Sequence, residues 1–391
     1  MRPSLYDEYL ADEAYTGSSW QRTNNISKGA FEDDESFAAF GAHAAATFDD
    51  LNQVRSVDRW FDHHTNVKDL TALGYTAVNA LRAADMQKLT KLEKIALPYT
   101  LQDIQDGSFA KSPELRYVDM LMCNNPTIVD DIKSRGLTPL GIDSLQTLVY
   151  LPRNYGEAHG VNIIVNNGAN LEAETFRLVD GKDYCVPYAF DAKHIDNTRK
   201  LENSSVTYTI CLPYNMSVPA GAKAYKLTGR KENTLVYTQV TGQLEAFQPY
   251  LLTIGSKPVT LATDMAQTIP SSLISEGDQV DGDGVVMRGT LASISNAEAS
   301  SLGALVLQSD NIWHPVKSGN KDDSIPAFRA YLVSRGSSGN FGIDLQDDTV
   351  DIRQIDDDAD DDAWYDLGGR RLEGMPSRGI YIHNGRQVVV Q

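Results

Sequence analysis

Histidine and cysteine are the residues of this sequence best suited to metal binding and nucleophilic chemistry, and their spacing favours neither. Of the seven histidines, only His63 and His64 are close in sequence, and adjacent side chains on an extended segment point apart. The three cysteines form no Cys-x-x-Cys pair and no Cys/His cluster, so the spacing of a zinc site is missing. We therefore predict no metal ligand and no cofactor. The cysteines, Cys123, Cys185 and Cys211, are expected to be buried small apolar residues.

Catalytic signatures are also missing. No Gly-x-Ser-x-Gly elbow activates a serine, and no glycine-rich loop is placed to hold a phosphate. With 53 acidic residues, a paired-carboxylate hydrolase site stays open as an alternative, but no two carboxylates stand out by position. We predict a protein that is not an enzyme and has no catalytic residues.

Aromatic side chains are better candidates for binding, because they present a large contact area at low entropic cost. A position in the hydrophobic core is the alternative for each aromatic ring. The candidate binding residues are Trp60, Phe61, His63, His64 and Trp313.

The net charge of −18 is concentrated near the two ends of the chain. Residues 1–50 carry ten acids against three bases, and residues 344–366 carry eleven aspartates against one arginine. A polyanion repels phosphate backbones, which argues against nucleic-acid binding. Six aspartates within residues 356–362 predict a solvated linker, with Ca²⁺ binding as the alternative. The sequence also lacks the apolar run of roughly 18–20 residues that a transmembrane segment needs.

An internal repeat occupies residues 54–152. Five apolar residues recur 23 positions later: Leu81, Met86, Leu92, Ile95 and Leu97 match Ile104, Phe109, Leu115, Val118 and Met120. An earlier unit, with Phe61, Val67 and Leu70, matches at an offset of 25, and a later unit resumes after an insertion at Leu145, Leu148 and Leu151. The period-2 pairs Ile95-x-Leu97 and Val118-x-Met120 predict short strands. Units this small must stack and share a core, as the units of a solenoid do. A helical hairpin domain is the alternative.

One unit carries a family resemblance. Residues 103–118 read DIQDGSFAKSPELRYV, which resembles the repeat of BspA-like leucine-rich-repeat surface proteins of Bacteroidales. The neighbouring unit departs from that repeat at Asp85-Met86, so the resemblance implies a short, irregular leucine-rich-repeat solenoid.

The second half predicts many short strands. β-branched and aromatic segments alternate with turn residues at 161–165, 206–212, 224–227, 234–240, 250–254, 285–290, 304–308 and 328–333. This pattern of short strand-like segments and turns is typical of an antiparallel β-sandwich. The phrases YTICLPY at 208–214, QPYLL at 248–252, MRGT at 287–290 and IPAFRAYL at 325–332 resemble a sandwich module of secreted Bacteroidales proteins.

The C-terminal residues predict a hairpin. Alternation at Ile380-x-Ile382, the Asn384-Gly385 turn and the run Val388-Val389-Val390 are its signals. Residues 364–372, WYDLGGRRL, and 378–391, RGIYIHNGRQVVVQ, resemble the sorting tail of Bacteroidetes secreted proteins. That resemblance implies contact with an export machinery; a terminal hairpin closing the sandwich is the alternative. The first residues lack the features of a signal peptide, so we expect a mature chain whose leader was removed, with a cytoplasmic chain as the alternative.

The predicted fold is mainly β with some α: a short irregular leucine-rich-repeat solenoid, an antiparallel β-sandwich and a C-terminal β-hairpin tail. Its segments are an acidic, partly helical region (1–53), the solenoid (54–152), the sandwich (153–347), an acidic linker (348–363) and the tail (364–391). The resemblances imply a secreted or cell-surface, adhesin-like binding protein that recognises a host or bacterial surface protein or glycan through the repeats. The alternatives are a carbohydrate-binding or carbohydrate-active sandwich and a structural spacer.

Overall fold

The computed structural model describes residues 67–272, 276–281, 284–319, 324–334, 339–347, 364–366, 370–372, 376–383 and 386–390. The chain divides into two compact units, residues 1–345 and 346–391. The predicted acidic region (1–53) and the predicted linker (348–363) lie outside the described residues.

The described chain is mainly β, with few helices. In chain order the strands are β1 (Asp69–Leu70), β2 (Ala80–Leu81), β3 (Lys94–Ala96), β4 (Asp103–Ile104), β5 (Tyr117–Asp119), β6 (Leu148–Leu151), β7 (Ile163–Asn166), β8 (Leu171–Leu178), β9 (Phe190–Asn197), β10 (Lys200–Leu201), β11 (Tyr208–Cys211), β12 (Met216–Ser217), β13 (Ala222–Lys231), β14 (Thr234–Val240), β15 (Gln243–Leu244), β16 (Pro249–Ile254), β17 (Val259–Thr260), β18 (Gln267–Ile269), β19 (Glu276–Asp281), β20 (Val285–Thr290), β21 (Ala304–Leu307), β22 (Trp313–Pro315), β23 (Arg329–Ser334), β24 (Gly342–Gln346), β25 (Trp364–Tyr365), β26 (Arg371–Leu372), β27 (Gly379–His383) and β28 (Arg386–Val390).

The helices are short. They are α1 (Ala83–Met86), α2 (Pro126–Arg135) and α3 (Asn296–Ser301), with 3-10 turns at Thr71–Tyr75, Thr138–Leu140 and Arg153–Tyr155. Helix α2 begins after Asn125, whose side chain accepts a hydrogen bond from the Thr127 amide, and it ends at Gly136. Among the described residues, no helix is long and apolar enough to cross a membrane.

The repeat spacing reappears as strand register. Strands β1, β3, β5, β6 and β7 pair in parallel within an eight-stranded sheet of order β1-β3-β5-β6-β7-β8-β9-β18. Leu70 lies opposite Ile95, and Ile95 lies opposite Val118, which are the predicted offsets of 25 and 23. The two short strands predicted around Ile95 and Val118 are confirmed.

Side-chain hydrogen bonds tie each repeat unit to the preceding one. The Thr100 hydroxyl donates to the Val78 carbonyl (2.7 Å), and the buried Ser112 hydroxyl donates to the Leu89 carbonyl (2.9 Å). The Asn125 amide donates to the Leu101 carbonyl (3.2 Å). These bonds join residues 22–24 positions apart, so they satisfy backbone carbonyls that the short strands leave unpaired.

The parallel strands bury one face in a core of their own. Leu70, Ile95, Val118 and Val149 belong to this core, which turns and helix α2 close from the other side. The residues that alternate with these along the strands, such as Tyr117 and Tyr150, point to the opposite face of the sheet. They belong to a second core that includes Phe176 and Phe190. Both faces are therefore apolar over β5 and β6.

The eight-stranded sheet, called the first sheet below, continues past residue 152. Strand β6 pairs in parallel with β7, which then turns back antiparallel to β8, and β8 pairs in parallel with β9. The predicted boundary at 152/153 thus falls inside one sheet. Strands β8 and β9 were not predicted, because their sequences, LEAETFRL and FDAKHIDN, are unusually rich in charged residues for strands.

The described residues of the first unit also contain two five-stranded sheets, whose strands pair mainly antiparallel, and three two-stranded sheets, β2-β4, β10-β17 and β12-β15. The orders of the five-stranded sheets are β11-β16-β13-β14-β24 and β19-β20-β23-β21-β22. Tyr237 and Leu251 of the former share a hydrophobic core with Met287, Trp313 and Leu332 of the latter. The predicted strand at 285–290 is confirmed residue for residue.

The second unit contains a four-stranded sheet of order β26-β25-β27-β28. Strands β27 and β28 pair antiparallel with His383 opposite Arg386, so the predicted hairpin is confirmed. The Trp364 ring stacks on His383 at a centroid distance of 4.2 Å.

Gly141 provides a test of how tightly the repeat units stack. It follows the turn Thr138–Leu140 with φ of 85°, and a Cβ there would lie 2.3 Å from the Ala110 amide nitrogen. We expect Gly141→Ala to combine about 1–2 kcal/mol for the left-handed conformation with about 1–3 kcal/mol of overpacking. Urea-induced unfolding measures the sum.

Gly303→Ala is the matched control. Gly303 has φ of 64°, but nothing lies within 4 Å of its hypothetical Cβ, so only the conformational part of the loss is expected. Equal losses in the free energy of unfolding for Gly141→Ala and Gly303→Ala would show that the backbone at Ala110 moves aside at little cost. The repeat units would then not be tightly stacked at this point.

Candidate functional site

The structure removes one predicted binding residue and leaves four without a described position. Trp313 is fully buried in the core shared by the two antiparallel sheets. Trp313 therefore has the core position that was the alternative for each candidate ring, and its ring is not available to a partner. Trp60, Phe61, His63 and His64 lie outside the described residues.

Exposed apolar side chains instead follow the carboxyl ends of successive parallel strands. Tyr75 ends the turn after β1, Tyr99 follows β3 by three residues, and Met122 follows β5 by three residues. Tyr99 is 55% exposed and Met122 is 62% exposed. Because parallel strands end at the same edge of their sheet, these side chains lie along one edge. With Tyr188 we call them the strand-end surface.

Tyr188 is attached to the same edge by hydrogen bonds. Its hydroxyl donates to Oδ2 of Asp119, the last residue of β5 (2.9 Å), and its carbonyl accepts from the Tyr150 hydroxyl (3.1 Å). The Tyr150 ring meets the Tyr188 ring edge-on at 5.7 Å. Tyr188 is nevertheless 44% exposed. It is an oriented aromatic ring available to a partner.

The turn Thr71–Tyr75 is held close against the neighbouring strand. A Cβ on Gly74 would lie 3.1 Å from the Ala96 Cβ, so glycine permits the close approach. Asp69 accepts hydrogen bonds from both the amide and the hydroxyl of Thr71, which fixes the start of the turn. Ala96 pairs with Asp119, and this places Tyr75 on the same side of the sheet as Tyr188.

Asp119 is an unusual residue for this position because its carboxyl group is almost fully buried. Burial raises the pKa of Asp119, while hydrogen bonds from the Leu121 amide and the Tyr188 hydroxyl act in the opposite direction. Burial and the adjacent Asp119 carboxylate also raise the pKa of Tyr188, with a smaller contribution from Tyr75. The tyrosine is therefore a neutral donor at physiological pH.

Charges near the amino ends of the same strands largely compensate one another. Glu93 lies 3.0 Å from the Lys68 ammonium and 3.9 Å from the Arg116 guanidinium. Arg116 also donates to the Asp183 carbonyl (3.1 Å). Glu93 therefore lies between two cationic side chains at this end of the sheet.

The strand-end surface offers contact area and hydrogen bonding and no reactive group. Within the described ranges, no cluster of three His, Cys, Asp or Glu residues could hold a metal ion. Cys123, Cys185 and Cys211, all within the described residues, form no disulfide; Cys123 and Cys211 are buried as predicted, whereas Cys185 is partly exposed. The arrangement is suited to noncovalent binding.

Comparisons with protein-family models, with curated proteins and with solved structures found no match to this chain.

The sequence contained a usable signal for part of the strand-end surface. Tyr99 and Met122 lie 23 residues apart, and each lies four residues beyond a repeat position, Ile95 or Val118. Tyr188 gave no such signal, because its place beside Asp119 depends on a contact across 69 residues.

Asp119→Asn tests the burial of the carboxyl group. A folded-state pKa above the unfolded value means that the native state binds the proton more tightly, so wild-type stability falls as pH rises through this range. We expect the stability of Asp119→Asn relative to wild type to increase from about pH 4 to pH 7. Urea unfolding at both pH values measures the difference.

Asp131→Asn is a control with the opposite sign. Arg135 lowers the pKa of Asp131 through hydrogen bonds, so relative stability of that variant should fall as pH rises. A pH-independent difference for Asp119→Asn would contradict the assignment.

Proposed function

We propose that this protein is a secreted or cell-surface binding protein of the BspA-like type, with a short irregular leucine-rich-repeat solenoid followed by an antiparallel β-sandwich. Its proposed role is non-enzymatic, adhesin-like recognition of a protein or glycan on a host or microbial surface through the repeat region. The observation that carries the proposal is the strand-end surface, Tyr75, Tyr99, Met122 and Tyr188.

The spacing of the parallel strands supports the repeat architecture. Residue offsets of 25 and 23 place Leu70, Ile95 and Val118 side by side, and hydroxyl and amide bonds cross between units at 22–24 residues. Short strands with a shared core and repeated loop positions are what a solenoid requires. The family resemblance at residues 103–118 falls within this region.

The chemistry of the surface supports recognition of a macromolecule. Tyrosine supplies a large amphipathic contact with few rotatable bonds, and methionine adapts its shape to a partner. Tyr188 is already oriented by Asp119 and Tyr150, so little ordering entropy is lost when a partner binds. A row of such side chains at the ends of successive repeats suits an extended ligand.

The proposed location outside the cell follows from the tail. Residues 364–391 resemble a sorting tail, and the hairpin of β27 and β28 forms within a unit separate from residues 1–345. A separate tail unit would be free to engage an export machinery.

Binding of the full chain to immobilised matrix proteins and to a glycan array tests the proposal. The full chain is used because the first sheet continues past residue 152. We expect a ligand whose dissociation constant rises about tenfold or more in Tyr99→Ser/Met122→Ser, since central apolar anchors contribute most of the binding energy.

Leu145→Ser is the matched control for this experiment. Leu145 is also an exposed apolar residue, but it precedes β6 and therefore lies towards the opposite edge of the sheet. Failure to bind any ligand, or equal binding by the double variant, would overturn the proposed function.

A further inference from the structure

A cavity of about 470 Å³ is lined by residues of both five-stranded sheets of the first unit, and none of its lining residues belongs to the strand-end surface. Its lining comes from β11, the end of β21 and the start of β23, together with Arg199 from the connection between β9 and β10. The volume lies in the range of about 300–1,000 Å³ that is typical of small-ligand sites.

Arg199 is the more buried of the two arginines that line this cavity. It is only 9% exposed, and its Nη1 donates to the carbonyls of Thr209 (2.9 Å) and Phe328 (3.5 Å). Its guanidinium also lies 5.8 Å from the ring centroid of Tyr208. Within the described part of the chain it forms no ion pair. A buried charge without a counter-ion is costly unless a ligand or solvent compensates it.

A second arginine increases the positive charge. Arg329 also lines the cavity and pairs bidentately with Asp180 at 2.7 and 3.0 Å. Burial, followed by the repulsion from Arg329, lowers the pKa of Arg199 to about 9, so both guanidinium groups are charged at neutral pH. Among the described lining residues and their ion-pair partners, two arginines face one carboxylate, which leaves one positive charge in excess.

The backbone around Arg199 is held in uncommon conformations. Phe328, whose carbonyl accepts from Arg199, is left-handed with φ of 64°. Asn311, also left-handed with φ of 60°, accepts a hydrogen bond from the Thr207 amide (2.7 Å) at the cavity wall. Such conformations persist only where the surroundings impose them.

We propose that this cavity binds an acidic monosaccharide unit, with its carboxylate on the part of Arg199 that lines the cavity. One net positive charge matches a monoanionic carboxylate better than a dianionic phosphate, and the planar guanidinium suits bidentate carboxylate binding. The mouth presents Thr207, Gln308, Ser309 and Ser324, which are short polar side chains able to bind sugar hydroxyls. The Tyr208 ring lies beside the charge.

Isothermal titration calorimetry at low ionic strength, with D-glucuronate as the probe and the full chain as the protein, tests the proposal. We expect saturable binding of glucuronate and none of glucose. Arg199→Gln should raise the dissociation constant about tenfold or more, because a charge-assisted hydrogen-bonding partner is lost. Lys193→Gln, an exposed residue of β9 outside the cavity lining, makes the same charge change and should leave binding unaltered.

A second variant separates loss of binding from loss of folding. Ser309→Trp fills the mouth from an exposed position and leaves both arginines in place, so it should block glucuronate while thermal unfolding stays unchanged. Three outcomes would overturn the proposal: equal affinity for glucose, unchanged affinity in both cavity variants, or phosphate or sulfate binding more tightly than glucuronate. None of these outcomes bears on the strand-end surface.

Discussion

The parallel pairing of very short strands at one repeat spacing is the interaction on which the first sheet depends. Strands β1, β3 and β5 contain two or three residues each, too few to be stable alone. Each gains its stability from neighbours at its sides, from a shared core on one face, and from the hydroxyl and amide bonds that cross between units. Stability is therefore a property of the stack and not of any single unit.

The same pairing determines where the exposed side chains lie. Because Ile95 and Val118 are in register, the residues four positions beyond them, Tyr99 and Met122, lie at equivalent places along one edge. The sheet then adds Tyr188 from a distant segment through the carboxylate of Asp119. The repeat thus places Tyr99 and Met122 along one surface, and the buried Asp119 carboxylate orients the Tyr188 ring of that surface.

The two five-stranded sheets have a buried charged side chain beside their shared core. Their shared core is made of apolar and aromatic side chains, yet the cavity at its side contains Arg199, whose guanidinium donates to two backbone carbonyls and lies beside the Tyr208 ring. The Asp180 carboxylate forms a bidentate ion pair with Arg329. The incomplete neutralisation of this cavity contrasts with the charges around Glu93, where acid and base lie side by side.

Much of the secondary structure could be predicted from local patterns. Strand β20 and the hairpin of β27 and β28 follow from β-branched alternation and turn residues, and the strands around Ile95 and Val118 follow from the 23-residue offset. Strands β8 and β9 could not be predicted in this way, since their stability comes from pairing inside a large sheet, which overrides the weak strand preference of their charged residues. The choice between surface and core for Trp313 could not be made from the sequence for a related reason: it depends on which face of β22 packs against the neighbouring sheet.

The sequence by itself determined the repeat spacing, the mainly β character and the uneven distribution of charge, because these depend on residues close together in the chain. Only the tertiary structure decided that one sheet crosses residue 152, that Asp119 orients Tyr188, and that Arg199 and Arg329 line the same cavity. Those contacts join residues separated by about 70 and 130 positions. At such separations, local propensity carries no information, and packing of distant segments sets which side chains meet.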